Sequence, residues 1–280
     1  MSESVRITVL VENSVHARGL KAEHGLAWHI QFGPHWVLFD TGQTDLLVEN
    51  AGKLGAPLDH LGAVVLSHGH YDHTGGLPAV LERSPSARLF IHPAALEPKF
   101  GVQADGSPRY IGMSDASRAA LTQNKERVVE TRTRTEVVKG LFVTGEIPGR
   151  TTFEDVGGRF FLDERCTQPD PLRDDQALFF DTSKGLVVVL GCGHAGVVNT
   201  LQHVQHVAGD RPVHTVLGGM HLLNADAHRI ENTIAAFRSL GIRQLGPAHC
   251  TGPAPTARLW TELAGQCESV AVGSRLAFDW

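Results

Sequence analysis

The run Ser67-His68-Gly69-His70-Tyr71-Asp72-His73-Thr74-Gly75-Gly76 follows directly on the apolar segment Ala63-Val64-Val65-Leu66. A short apolar run that ends in turn-forming residues reads as a buried strand. Three imidazoles and a carboxylate thus crowd into six positions at a strand end, which packing alone does not explain. Residues two apart in an extended segment point to the same side. His68 and His70 are therefore placed to face one metal ion, and Asp72 and His73 to serve a second. Neutral imidazole and carboxylate suit zinc, and also manganese or iron. The competing reading is a solvated histidine-rich turn; the donor set and its launch from a strand favour a metal site.

At 280 residues the chain has room for one large α/β domain or two small ones. Its 42% hydrophobic and 20% charged content is ordinary for a soluble protein, and a net charge of −5 gives no basic footprint for nucleic acid. Histidine stands out at 16 residues, in keeping with metal or acid–base chemistry. Cys166, Cys192, Cys250 and Cys267 form no C-x-x-C pair and no disulfide-like framework, so reduced thiols are expected. The segment Met1–Ile7 lacks the basic-then-apolar pattern of a secretory signal. No apolar run approaches the roughly 18 residues that span a membrane. The expectation is a soluble cytoplasmic protein acting on a small molecule.

Along the chain, Val5–Val11 alternates as a strand, and Ala27–Phe32 with Trp36–Asp40 reads as a hairpin broken by Gly33-Pro34. Thr44–Leu54 has helical spacing with Gly55 as C-cap. A short helix follows the histidine loop from Gly76 to Arg83, and Arg88–Ile91 is a strand. Between about Lys99 and Asp175 the pattern weakens, and a connection of that length reads as a specificity insertion within a single domain spanning residues 1–280. Regular patterning then returns. Ala177–Phe180 and Leu186–Leu190 form a buried hairpin, His194–Ala208 a helix, Val213–Leu217 a strand, Asp226–Leu240 a helix, Ile242–Leu245 a strand and Thr256–Cys267 a last helix.

One arrangement recurs four times: an apolar strand ends in a glycine-bearing turn that presents a histidine. Ala63–Leu66 leads to His68, Leu186–Leu190 to Gly191-Cys192-Gly193-His194, Val213–Leu217 to Gly218-Gly219-Met220-His221, and Ile242–Leu245 to Gly246-Pro247-Ala248-His249. Ligands of α/β sheets gather outside the carboxyl ends of strands, where glycine lets the backbone approach them closely.

The pattern His68-x-His70-x-Asp72-His73 after a strand resembles the signature of the metallo-β-lactamase superfamily. The resemblance is closer to its dihydropterin ribofuranosylaminobenzene phosphate synthase-like branch. It runs through Ala22-Glu23-His24-Gly25-Leu26, Leu38-Phe39-Asp40-Thr41-Gly42, Ser67–Leu77, Asp174-Asp175-Gln176-Ala177-Leu178, Gly191–Asn199, Gly218-Gly219-Met220-His221-Leu222 and His249-Cys250-Thr251-Gly252. It implies an α/β fold of four layers, an αββα sandwich, with a metal centre at one sheet edge. It further implies that His68, His70 and His194 hold one metal, and that Asp72, His73 and His249 hold the other. The superfamily usually bridges its metals with an Asp at a strand end in the second half, where this chain carries Gly191-Cys192. Either Cys192 replaces that carboxylate, or His194 takes over, or one metal alone binds tightly.

A bound divalent ion lowers the pKa of its water from 15.7 to roughly 7, so the expected activity is hydrolysis of an ester or phosphoester by metal-activated hydroxide. Zinc, as one or two ions, leads, with manganese or iron as alternatives. Asp72 is placed to orient the water and accept its proton, and His221 to protonate the leaving group or bind substrate. Asp40 is a candidate to hydrogen-bond a ligating imidazole. Each has a plain counterpart: His194 as a helix-terminal cap, Asp40 as a turn residue, and Cys192 as a small buried hydrophobe. The substrate is expected to be a small molecule, anionic if a phosphoester. Two rival classes remain open: a di-iron redox protein, and a metal-binding effector with little turnover.

Overall fold

The computed structural model describes residues 4–280. Residues 1–3, part of the segment inspected above for a signal, lie outside the described residues. The strands in chain order are β1 (Ser4–Val11), β2 (Ala27–Phe32), β3 (His35–Phe39), β4 (Ala63–Val65), β5 (Arg88–Ile91), β6 (Phe100–Val102), β7 (Pro108–Tyr110), β8 (Val128–Glu130), β9 (Thr135–Val138), β10 (Leu141–Val143), β11 (Phe160–Phe161), β12 (Ala177–Phe180), β13 (Leu186–Leu190), β14 (Val213–Gly219), β15 (Gln244–Ala248) and β16 (Arg275–Asp279). The helices are α1 (Leu46–Leu54), α2 (Tyr71–Thr74), α3 (Leu77–Arg83), α4 (Asp115–Gln123), α5 (Val197–Val207), α6 (Ala227–Leu240) and α7 (Pro253–Glu262).

Seven strands form one sheet in the order β16-β1-β2-β3-β4-β5-β8, and six form a second in the order β15-β14-β13-β12-β10-β9. In the first, β3, β4, β5 and β8 run parallel. In the second, β13, β14 and β15 do. The turns that follow β4, β13, β14 and β15 carry His68, His194, His221 and His249.

Period-two side-chain alternation explains the layering. On β2, Trp28, Ile30 and Phe32 face Leu178 and Phe180 of β12 and Val187 and Val189 of β13, in the core between the sheets. Phe32 meets Phe180 edge-on at 5.4 Å between ring centroids. The opposite faces take helices. Leu38 and Val64 pack with Leu47 and Ala51 of α1 and Val80 of α3, while Leu186, Val188 and Leu190 pack with Leu201 and Val204 of α5 and Phe237 of α6. Each such large side chain contributes about 1.5–3 kcal/mol by leaving water. The result is the expected αββα sandwich, and central strands such as β4 and β13 are apolar throughout because both their faces are covered.

Local differences have local causes. The last helix starts at Pro253, three residues before Thr256, because proline is favoured in a first helical turn, where its missing N–H is not needed. It stops at Glu262, and Cys267 instead bridges to Leu245. The strand expected at Ile242–Leu245 runs Gln244–Ala248. The pairing of β16 with β1 was not anticipated from the sequence. His203 of α5, on the side of the helix away from Leu201 and Val204, reads from the sequence as solvated, and the structure half-buries it.

The stretch 99–175 divides in two. β8 extends the first sheet, and β9 and β10 extend the second. β11, β6 and β7 instead form a separate three-stranded sheet. That small sheet is tied to the histidine loop, where Tyr71 N donates to Ile111 O at 3.0 Å.

Candidate metal centre

The turn after β4 is held open by Asp40 at the end of β3. Asp40 Oδ1 accepts from Ser67 N at 2.7 Å, and Oδ2 accepts from Ser67 Oγ at 2.7 Å. Gly69 separates the first two histidines because a Cβ there would strike the Ala95 carbonyl. Asp174 Oδ2 accepts from Gly69 N at 2.7 Å, and buried Lys99 Nζ donates to Asp174 at 2.8 Å and to Asp170 at 2.9 Å. The neighbouring Asp175 accepts from Ala195 N at 2.8 Å and so fixes the turn that carries His194.

The partners of the outward ring nitrogens set the tautomers. His73 Nδ1 donates to Asp40 Oδ2 at 2.7 Å. His68 Nδ1 donates at 2.8 Å to Ser67 Oγ, whose own proton is committed to Asp40. His194 Nδ1 donates to Val156 O at 3.1 Å. His249 Nδ1 donates to Asn13 Oδ1 at 2.8 Å, and Gly25 N donates to the same oxygen. Each of these rings therefore turns Nε2 inward, the atom that a metal-ligating imidazole offers.

Those nitrogens converge. His68 Nε2 is 3.0 Å from His70 Nδ1, and the His68, His70 and His194 rings meet pairwise with centroids 4.6 to 4.9 Å apart. His73 Nε2 is 3.3 Å from His249 Nε2, and Asp72 Oδ2 lies 3.3 Å from His249 Nε2 and 3.7 Å from His73 Nε2. Ligand atoms around a tetrahedral ion sit about 3.3 Å apart. His194 Nε2 is buried without any hydrogen-bond partner. Inward-turned imidazole nitrogens gathered beside a carboxylate and a thiol are donors that a divalent metal takes, so the residues fit such an ion.

Electrostatics point the same way. Burial pushes the His68 and His194 imidazoles far down, keeping them neutral. Burial also lowers His70, to about 3. His73 is the exception: burial pushes it down, but Asp40 and Asp72 outweigh that and raise it to about 9. Burial alone would raise the Asp72 carboxyl, yet His73, His24 and His249 hold it well below the usual range. An ionised Asp72 beside neutral His68, His70 and His194 is a set of donors for a cation.

The structure thus gathers His68, His70, Asp72, His73, His194 and His249 in one place. His221 is beside them, its ring centroid 4.2 Å from that of His194. Burial lowers His221 to about 4, so its ring is neutral at pH 7. Gly157, at φ 77°, backs onto this ring, and a Cβ there would strike Nδ1. His24 joins at the edge, Nε2 3.2 Å from Asp72 Oδ2. Asp40, His221 and His249 adopt left-handed backbone, with φ of 61°, 46° and 50°. Non-glycine residues rarely do so, and such strain gathers at functional sites.

Sequence reading missed Glu12, Asn13 and Lys99. Glu12 Oε1 accepts from His249 N at 2.8 Å; its placement as a buried acid directly after β1 was the available signal. Above the centre lies a cavity of about 530 Å³. Phe160 of β11 forms one wall, 5.2 Å from the His194 ring, and exposed Arg109 and Arg159 also line it.

An αββα sandwich with histidines gathered at its parallel-strand ends defines a class, and the chain belongs to the metallo-beta-lactamase superfamily, whose sequence model matches residues 21–204. The particular relatives narrow the branch. A Methanocaldococcus jannaschii 7,8-dihydropterin-6-methyl-4-(beta-D-ribofuranosyl)-aminobenzene-5'-phosphate synthase is 29% identical over 245 residues, 82% of each chain. Tm1679, a solved metal-dependent hydrolase of the beta-lactamase superfamily, is 32% identical with a TM-score of 0.80, covering 97% of this chain and 98% of that one. Zinc-bound PqqB from Methylobacterium extorquens, at 15% identity and a TM-score of 0.57 over 97% of this chain and 99% of its own, shares the fold. The branch expected from the motifs is borne out. Among the described residues no helix is long and apolar enough to cross a membrane.

Proposed function

We infer that this chain is a metal-dependent hydrolase that cleaves an ester or phosphoester of a small anionic substrate. The observation that carries this reading is the convergence of four inward-turned Nε2 atoms beneath an open cavity. His68, His70 and His194 would hold one ion, and Asp72, His73 and His249 a second. Zinc suits this nitrogen-rich set, with manganese or iron as alternatives. When bound, such ions supply an acidified water and a Lewis acid for the developing oxyanion.

The chain's own residues supply the rest. Asp72, whose Oδ2 faces His73 and His249, would hold the second ion and orient the attacking water beside it. His221, neutral at pH 7 with a pKa of about 4, serves as a substrate hydrogen-bonding group in preference to an imidazolium acid. Phe160 shields the ring edges of His70 and His194 from solvent. Arg109 and Arg159 suit an anionic substrate group. The M. jannaschii relative is named for a 5'-phosphate, which is such a group. That name also supports a second reading, in which the same centre serves a synthase reaction. We assign residues 1–280 to one catalytic unit, with the β6-β7-β11 sheet as its specificity segment. Four free cysteines suit the reducing cytoplasm.

Elemental analysis of wild type, His68→Ala and His249→Ala, paired with a phosphodiester and lactone turnover screen, tests the reading. About two ions per chain, falling in both variants together with turnover, is the expected result. Wild type that holds no metal above background, even after metal is added, would overturn it.

A further inference from the structure

Among the described residues the donor atoms fall into three groups; His24, Asp72 and His249 form one, and a single sulfur is common to the other two. His68, His194 and Cys192 place ligand atoms within 4.8 Å of one another, and so do His73, His249 and Cys192. Cys192 Sγ lies 3.1 Å from His73 Nε2, the ring nitrogen opposite the one that Asp40 holds. The residue follows β13 and is buried, so its sulfur faces the imidazoles and not solvent.

Asp72 belongs to the group of His24 and His249, and the other nearby carboxylates lie outside the donor groups among the described residues. Asp40 is committed to Ser67 and to the far side of His73. Asp174 is held by Lys99 and Gly69. Asp175 accepts from Ala195 N through Oδ2 while its Oδ1 is buried without a partner, but it belongs to none of the donor groups among the described residues. Cys250, the other cysteine nearby, turns its thiol to Cys192 O at 3.4 Å. A second, independent observation points to a ligand: the fully buried His194 Nε2, in the same group as the sulfur, has no partner.

We propose that Cys192 is a metal ligand shared by the two histidine groups, its thiolate standing where a bridging carboxylate would otherwise lie. The proposal rests on the metal-centre reading above and specifies the atom between its two halves. On binding, the S–H bond breaks, sulfur keeps the electron pair and donates it to the metal, and the proton leaves to solvent. Thiolate is a soft donor, so a shared sulfur biases the centre toward zinc and away from manganese.

Cobalt(II) substitution tests this without any substrate. Wild type loaded with Co²⁺ is expected to take up about two ions and to show a near-ultraviolet sulfur-to-cobalt charge-transfer band. Cys192→Ser should lose the band and bind fewer ions. Cys192→Asp should lose the band but retain about two ions, because a carboxylate can bridge. Cys250→Ser should keep the band. Wild type with both ions bound and no band would overturn the proposal and leave the metal centre standing. A band that survives Cys192→Ser, or that disappears only in Cys250→Ser, would also overturn it. Wild type that takes up no cobalt would overturn the metal-centre reading itself, and the proposal with it. Circular dichroism of each variant separates loss of folding from loss of a ligand.

Discussion

Asp40 Oδ2 lies 2.7 Å from His73 Nδ1, and both side chains are wholly buried. The same oxygen accepts from Ser67 Oγ, which in turn orients His68. One carboxylate thus sets the tautomer of an imidazole in each half of the centre. Asp40→Asn should leave the chain folded and weaken metal retention by roughly 10–100-fold. Competition against a chelator of known affinity reads this directly; unchanged affinity would show that His73 and His68 do not need Asp40.

Lys99 is buried between Asp170 and Asp174. Lys99→Met leaves two buried carboxylates without a cation and should cost about 3–5 kcal/mol, read from urea unfolding. Burial lowers the Lys99 ammonium, but Asp174 and Asp170 outweigh it and raise the pKa above its usual value. A raised lysine contributes its full stabilisation below the unfolded pKa of about 10.4 and loses it as pH rises through the folded value. Wild type should therefore lose its advantage over Lys99→Met in strongly alkaline solution. A constant gap across that window would contradict the pairing.

Asp175 titrates in the opposite sense to an ordinary salt-bridged carboxylate. Burial raises it to about 7, with Asp174 adding to the effect and Ala195 N opposing it. Between the unfolded value of about 3.9 and the folded value, the native state binds the extra proton, so stability falls as pH rises. Metal-free Asp175→Asn should gain on metal-free wild type across that window, by on the order of a few kcal/mol. Denaturation of both proteins at pH 5 and pH 8 checks the sign.

Gly157→Ala places a methyl group against His221 and strains a residue at φ 77°. Metal content should hold while turnover falls by up to about 100-fold, the cost of misplacing a group by about 1 Å. Equal turnover in the two proteins would remove His221 from the substrate's surroundings.

Arg109→Ala and Arg159→Ala should each raise KM for a phosphodiester by roughly 10-fold or more, since a hydrogen bond to a charged group contributes about 1.5–3 kcal/mol. A neutral lactone should be indifferent to both changes. Equal effects on the two substrates would point to a structural role for the arginines.

Much of this arrangement is legible in the sequence because its signals are local. Ser67–Gly76 announces a metal loop, and the apolar runs before His194, His221 and His249 announce strand ends. Gly55 caps α1 in the left-handed conformation expected of it. What stays hidden depends on contacts across the chain. Asn13 and His249 stand 236 residues apart, and Lys99 and Asp174 stand 75 apart. Nothing near Asn13 or Lys99 marks it as a partner. The separate roles within 99–175 are hidden for a related reason: β8, β9, β10 and β11 are too short to display a period, and pairing alone decides which sheet each joins. Cys192 was readable as an apolar residue because burial and ligation both favour cysteine; only the position of its sulfur distinguishes them.

The left-handed backbone at Asp40, His221 and His249 has a consequence for how such a chain tolerates change. Glycine at any of these positions would relieve the local strain while removing a side chain from the centre. A screen for heat tolerance alone would therefore tend to reward variants in which the active site has been erased, and selection in the laboratory must keep turnover in view to preserve it.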